Sequence, residues 1–346
     1  MDSSSSVDVP DAPNCSAGGG DDSFFGLRIA SIFIILVGST SGALFPVLAK
    51  RSKHVHVPKG LFDFAKYFGS GVIIATAFIH LLAPALEALE SECLSEGWSD
   101  YPYALALCLL SIFSIFIVEL TAFRWGTAKL AKLGLSHDAH GHEVGSHVAH
   151  GPEGNMVADA SSSTKEKDLE SADSHHKSHQ LLDDAFAQIV GVAILEFGVA
   201  LHSVLIGLTL AVDEDFKVLF VVLVFHQTFE GLGIGSRLAY MQLPQKYNYV
   251  PIIAAILYGL TTPVGIAVGL GVRTTYNPGT ATASIVSGVL DAFSAGILIY
   301  TGLVELLAHE FLFNKEMMEG SNSKLVYSIG SMLLGCALMA LLGRWA

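Results

Sequence analysis

The side chains in this sequence best able to do chemistry sit where side chains of their kind are costly. His226 and Glu230 belong to the run His226-Gln227-Thr228-Phe229-Glu230-Gly231, inside an otherwise apolar stretch. On a helix, a separation of four puts imidazole and carboxylate on one face, about 5–6 Å apart at Cβ, near enough to share one cation. Gln227, three residues before Glu230, can turn its amide oxygen toward the same ion. His202, followed by Ser203, offers a second imidazole from another apolar stretch, where Gly198 and Gly207 permit close helix approach. Two imidazoles and a carboxylate suit Zn²⁺, Fe²⁺ and other late first-row ions, whereas Ca²⁺ and Mg²⁺ prefer all-oxygen shells. The competing reading is that His226 and Glu230 only hydrogen-bond to each other in a dry bundle.

Other titratable groups lie at similar depth, and each calls for a partner or a role, since a charged group at mid-membrane costs about 2.5–3.5 kcal/mol on insertion scales. His80 ends the apolar run 73–79 just before Leu81-Leu82-Ala83-Pro84; an entry ligand and a satisfied interfacial histidine are both open readings. Glu305 and His309 repeat the four-residue spacing and are followed by Glu310, which fits either an exit relay or an ordinary ion pair. Glu119, Glu196 and Asp291 are single acids, readable as proton acceptors or as polar ties between helices. Thr261-Thr262-Pro263 interrupts a further apolar run, where a kink would release backbone carbonyls. Eight of the chain's 14 histidines, His137, His140, His142, His147, His150, His175, His176 and His179, fall in a tract rich in Ser, Gly and Asp. By composition that tract buffers or senses metal, or is merely a solvated linker.

These residues must be positioned by membrane helices. Hydrophobic residues make up 51% of the 346 and charged residues 15%, outside the usual range for soluble domains. Apolar stretches long enough to cross about 30 Å of hydrocarbon fall at 24–48, 61–83, 103–123, 186–212, 216–240, 250–271, 280–308 and 325–342. The expected fold is an all-α integral membrane protein of eight helices. Residues 1–23 read as an acidic, disordered tail without the pattern of a cleaved signal peptide, 24–133 as helices one to three, 134–181 as a His-rich loop, and 182–346 as helices four to eight. Net charge is −13, but orientation follows lysine and arginine in short loops. Lys50, Arg51, Lys53, Lys59, Arg124, Lys129, Lys132, Arg237, Lys246, Lys315 and Lys324 share one side, so both termini and the acidic loop 87–100 are expected outside the cytoplasm. Cys108 and Cys336 sit within spans; Cys15 and Cys93 fall on the outer side, where a disulfide could pin the tail to the second loop.

The runs His202-Ser203-Val204-Leu205-Ile206-Gly207 and His226-Gln227-Thr228-Phe229-Glu230-Gly231 resemble the fourth- and fifth-helix signatures of plant-type ZIP (Zrt/Irt-like) divalent metal transporters. The helix number, the His-rich loop between helices three and four, and the run Leu303-Val304-Glu305-Leu306-Leu307-Ala308-His309-Glu310-Phe311 resemble that family too. The resemblance implies the ZIP fold, a metal path enclosed by helices two, four, five and seven, and movement of helices one, four, five and six against the rest. It implies His202, His226 and Glu230 as ligands, Gln227 as a fourth, and His80, Glu305 and His309 along the entry or exit path. Members that hold two adjacent metals carry a Pro-Glu pair where this chain has Leu205-Ile206, so a single-metal site is expected.

The function so implied is alternating-access transport of a divalent metal toward the cytoplasm, zinc first, with iron, manganese, copper and cadmium open. The metal is substrate, not cofactor; the partners are metal ions and the lipid bilayer, with no nucleic acid, and a homodimer is allowed. The plasma membrane is the favoured location, with a vacuolar or other internal membrane open. The rivals are an intramembrane zinc hydrolase, which needs a base beyond the ligand set and for which the His-Glu-x-x-His pattern is absent, and a metal-sensing receptor.

Overall fold

The computed structural model describes Cys15, Gly19 and residues 23–52, 57–132, 170–241 and 243–345, with the side chains of 123, 125–132, 170–188 and 316 left out of account. Among these residues there is no strand, and eight helices are long and apolar enough to cross a membrane. We number them α1 (Phe25–Arg51), α2 (Lys59–Leu89), α3 (Tyr103–Lys132), α4 (Glu170–Leu210), α5 (Phe216–Tyr240), α6 (Val250–Val272), α7 (Ala281–Leu312) and α8 (Asn322–Leu342). The eight agree in order with the apolar stretches of the sequence.

Several ends differ, and α3 runs to Lys132, nine residues past the expected 123. α2 runs six residues past the expected stop at Ala83 because its backbone widens to a π turn over Thr76–Leu82, directly before Pro84. Proline has no N–H and its ring crowds the carbonyl four residues back; the wider turn gives that ring room. α7 likewise continues as a π helix over Thr301–Leu312. α4 begins at Glu170, inside the tract read as loop, so His175, His176 and His179 lie on helical backbone with their side chains outside the described residues. His137, His140, His142, His147 and His150 lie outside the described residues altogether.

The helices pack as two sets. α1 lies along α5 and α6, and α4 along α6; α8 lies along α2, and α3 and α2 along α7. The sets meet where α2 crosses α5 and where α4 crosses α7. Apolar packing cannot by itself draw helices together in lipid, so close backbone approach carries much of the association. At the α2–α5 crossing Gly69 and Gly233 touch backbone to backbone, and a Cβ on Gly233 would stand 2.9 Å from the Gly69 Cα. At the α4–α6 contact a Cβ on Gly207 would stand 2.5 Å from the Thr262 carbonyl oxygen.

Two polar ties complete the first set. Pro263 leaves the Gly259 carbonyl without its helical donor, and the Ser39 hydroxyl of α1 donates to that oxygen at 3.0 Å. Arg28 of α1 is wholly buried and donates to the carbonyls of Leu210 at 3.0 Å and Asp213 at 2.7 Å, its guanidinium 4.5 Å from the Phe216 ring centroid. A cation at the carbonyl end of α4 suits the helix dipole. Burial pushes the Asp213 carboxyl above the usual range, a shift that Arg28 partly opposes. On the same side Cys15 and Cys93 form a disulfide with Cα atoms 5.4 Å apart.

Candidate metal site

His226 and Glu230 are completely buried in the middle of α5, and His226 Nε2 stands 3.9 Å from Glu230 Oε2. The four-residue spacing thus places both on one face, as a helix must. That face turns toward the seam between the two helix sets. From α4, the His202 ring comes to 5.6 Å of the His226 ring, centroid to centroid, and from α2 the His80 ring comes to 4.7 Å, edge on. Asp291 of α7 stands 3.5 Å from His202 Nδ1. Four helices, two from each set, therefore bring three imidazoles and two carboxylates to one buried place.

Few of these atoms find a partner in the chain. Both ring nitrogens of His202, both of His226, Glu230 Oε1 and Asp291 Oδ1 are buried without a hydrogen bond. Unpaired buried polar atoms cost roughly 1–3 kcal/mol each, so a cluster of them in an apolar bundle calls for a ligand. Among the described residues no three His, Cys, Asp or Glu side chains stand at coordinating distance together; His226 Nε2 and Glu230 Oε2, 3.9 Å apart, would have to draw closer to share an ion.

His80 differs, because one ring nitrogen is already engaged. Its Nε2–H donates to the Met339 carbonyl of α8 at 2.9 Å, so in a neutral ring Nδ1 carries the lone pair. Metal-bound histidines usually donate their other ring N–H to a carbonyl or carboxylate in this way. Gln227 is buried as well, but its amide nitrogen donates to Thr262 Oγ1 and, at 3.4 Å, to Ser203 Oγ. Its side-chain oxygen lies 3.4 Å from the Tyr258 hydroxyl.

Tyr258 of α6 was not among the residues expected from sequence. Its hydroxyl donates to the Gln227 carbonyl at 2.8 Å and lies 3.4 Å from Glu230 Oε2. The available signal was weak: Tyr258 and Thr262 are a polar pair four apart in an apolar run. Asp291 was flagged only as an isolated acid. Of the other acids, Glu119 accepts from Tyr300, tying α3 to α7, and Glu196 Oε1 is buried on α4 without a hydrogen bond. Glu305 and His309 are half-buried in the π segment of α7, on the order of 20–27 Å along the helix from Asp291 at about 1.5 Å per residue. His309 there packs its ring on Phe313, with centroids 5.6 Å apart.

Residues 25–343 match the family model described as ZIP Zinc transporter. The chain is 43% identical over 333 residues to zinc-regulated transporter 1 of Saccharomyces cerevisiae, covering 93% of this chain and 88% of that protein. Zinc-regulated transporter 2 of the same yeast is 38% identical, covering 96% and 97% respectively. Zinc transporter 9 of Oryza sativa subsp. japonica is 35% identical, covering 92% and 89%. Eight apolar spans and a family match over nearly the whole length make this a multi-pass integral membrane protein, and the chain belongs to the ZIP zinc transporter family.

Proposed function

We propose that this protein carries zinc across its membrane toward the cytoplasm, holding one ion at a time between His202, His226 and Glu230. The observation that carries this reading is the set of buried, unpartnered imidazole and carboxylate atoms that α4 and α5 present at the seam between the two helix sets. Imidazole with carboxylate suits Zn²⁺, and the similar proteins from yeast and rice are named as zinc transporters. His80 and Asp291, across the seam on α2 and α7, receive or release the ion as the sets slide. Gln227, already bonded to α4 and α6, turns its oxygen inward only when the ion arrives. Ile206 stands where a bridging carboxylate would be needed for a second ion, so the site takes one. The end of the bundle bearing the disulfide faces outward, by the distribution of basic residues, and the membrane is that of the cell surface. Glu305 and His309 lie along the exit, and the histidines 137–179 buffer metal on the cytoplasmic side.

The test is uptake of radioactive zinc by intact cells in competition with iron, manganese, copper and cadmium. Cells expressing the protein should gain zinc, and His226→Ala or Glu230→Gln at equal surface abundance should fall at least about tenfold, the low end of what even outer-shell losses cost. Equal uptake by wild type and His226→Ala would remove the central site from the mechanism. Purified protein lacking residues 134–169 should bind one zinc tightly; two tight, His202-dependent ions would refute the single-metal reading.

A further inference from the structure

The hydroxyl of Tyr258 stands among the oxygens that α5 can offer to an ion. It lies 2.8 Å from the Gln227 carbonyl, 3.4 Å from the Gln227 side-chain oxygen and 3.4 Å from Glu230 Oε2, while Glu230 Oε1 has no hydrogen bond. The Gln227 carbonyl is inside α5, where a helix supplies it with the N–H of Gly231. The phenol proton is therefore not needed there, and a carboxylate draws it more strongly than a peptide carbonyl does. The ring has a built place: Tyr258 is 4% exposed, and a Cβ on Gly231 would stand 3.0 Å from its Cε1. One turn further along α6, Thr262 accepts from the Gln227 amide nitrogen, so α6 engages both α5 side chains. Since α5 and α6 belong to the same helix set, these ties persist when the sets slide.

The phenol has one proton to give, and the side chains of Gln227 and Glu230 together have three oxygens. Holding back one leaves two, which with the imidazoles of His202 and His226 make four donors, the number zinc takes in protein sites. Without that proton all three oxygens reach the ion, and the larger, oxygen-richer shell suits manganese, which favours octahedral oxygen surroundings. We propose that Tyr258 is a positioning residue that sets metal specificity: its hydroxyl withholds one α5 oxygen from the ion and so favours zinc over manganese. It acts through Glu230 and Gln227 and does not touch the ion. This rests on the carrier reading above, in which those side chains hold the metal.

The experiment measures initial rates of zinc and of manganese uptake by the full-length chain in intact cells, over a range of concentrations of each. Tyr258→Phe, which removes only the hydroxyl, should lower the ratio of kcat/KM for zinc to that for manganese about tenfold, the low end of what losing a group behind a metal ligand costs. Being a ratio, it does not depend on how much protein reaches the surface. Ser39→Ala removes a different buried hydroxyl tie onto α6, at the Gly259 carbonyl, and should leave the ratio where it is. A proportional fall for both metals in Tyr258→Phe, or an equal change of ratio in Ser39→Ala, overturns the proposal. If Tyr258→Phe does not accumulate, the wild type decides: the purified protein loaded with cobalt in place of zinc should show the strong visible absorption of a four-coordinate ion, and the weak bands of an octahedral one overturn the proposal. Wild-type cells that gain neither metal would sink the carrier reading instead. In that case zinc and manganese titrations of the purified wild-type and Tyr258→Phe proteins still judge Tyr258, with the affinity ratio expected to fall about tenfold and an unchanged ratio counting against it.

Discussion

At the scale of single residues, His202 and Asp291 show how much the second partner matters. Asp291 Oδ1 and His202 Nδ1 stand 3.5 Å apart without a hydrogen bond; a small approach on loading would let the carboxylate accept from Nδ1–H and leave Nε2 for the metal. Asp291→Asn can still accept from Nδ1–H through its amide oxygen, whereas Asp291→Leu cannot. Zinc titration of the purified protein should therefore find the Asn variant within a few-fold of wild type and the Leu variant about 10–100-fold weaker. Equal losses would mean that Asp291 acts through its charge and not through the tautomer. The sequence made His226 and Glu230 legible because four residues of helix fix their geometry without any tertiary information. His202–Asp291 and His80–Met339 were not legible, since each partner arrives from a helix far along the chain and its register depends on packing. Gln227 shows the same limit: its spacing allows it to face the ion, while Thr262 and Ser203 decide where its amide points.

At the scale of elements, glycines set the distance between helices and thereby the width of the site. A Cβ on Gly233 would meet the Gly69 Cα and carbonyl oxygen at 2.9 and 3.0 Å, backbone contacts that no side-chain rotation can relieve. Gly233→Ala should therefore force α2 and α5 apart and cost about 1–3 kcal/mol, the range of small-to-large changes in packed cores. Gly60→Ala, at a position with nothing within 4 Å, is the control. Thermal unfolding in detergent should fall for the first and not the second, and zinc uptake should fall with it, because the displaced face carries His226 and Glu230. An unchanged melting profile for Gly233→Ala would show that the crossing has slack. Apolar length placed all eight helices from sequence, but the π segments were not visible there. The apolar stretch ends at Ala83, before Pro84, and α2 continues to Leu89 through a widening of the turn at Thr76–Leu82.

At the scale of the whole molecule, two residues ahead of α1, Cys15 and Gly19, join distant connections. The Cys15–Cys93 bond closes a separation of 78 residues that includes all of α1 and α2, and Gly19 lies against the Arg273–Thr274 backbone between α6 and α7. Cys15 is thus tied to the α2–α3 connection and Gly19 meets the α6–α7 connection, on the side where Arg28 holds α1 to the end of α4. Closing a loop of that length stabilises by about 2–4 kcal/mol in typical cases, through a restriction that needs both sulfurs. Cys15→Ser, Cys93→Ser and the double variant should consequently lose the same stability, and the double variant should be no worse than either single one. The same bond reports topology. After mild reduction, a thiol reagent that cannot cross membranes should label both cysteines on intact cells, and without reduction it should label neither. Labelling without reduction would mean that the bond is open, and labelling only after permeabilisation would overturn the cell-surface reading, through either an inverted molecule or an internal membrane.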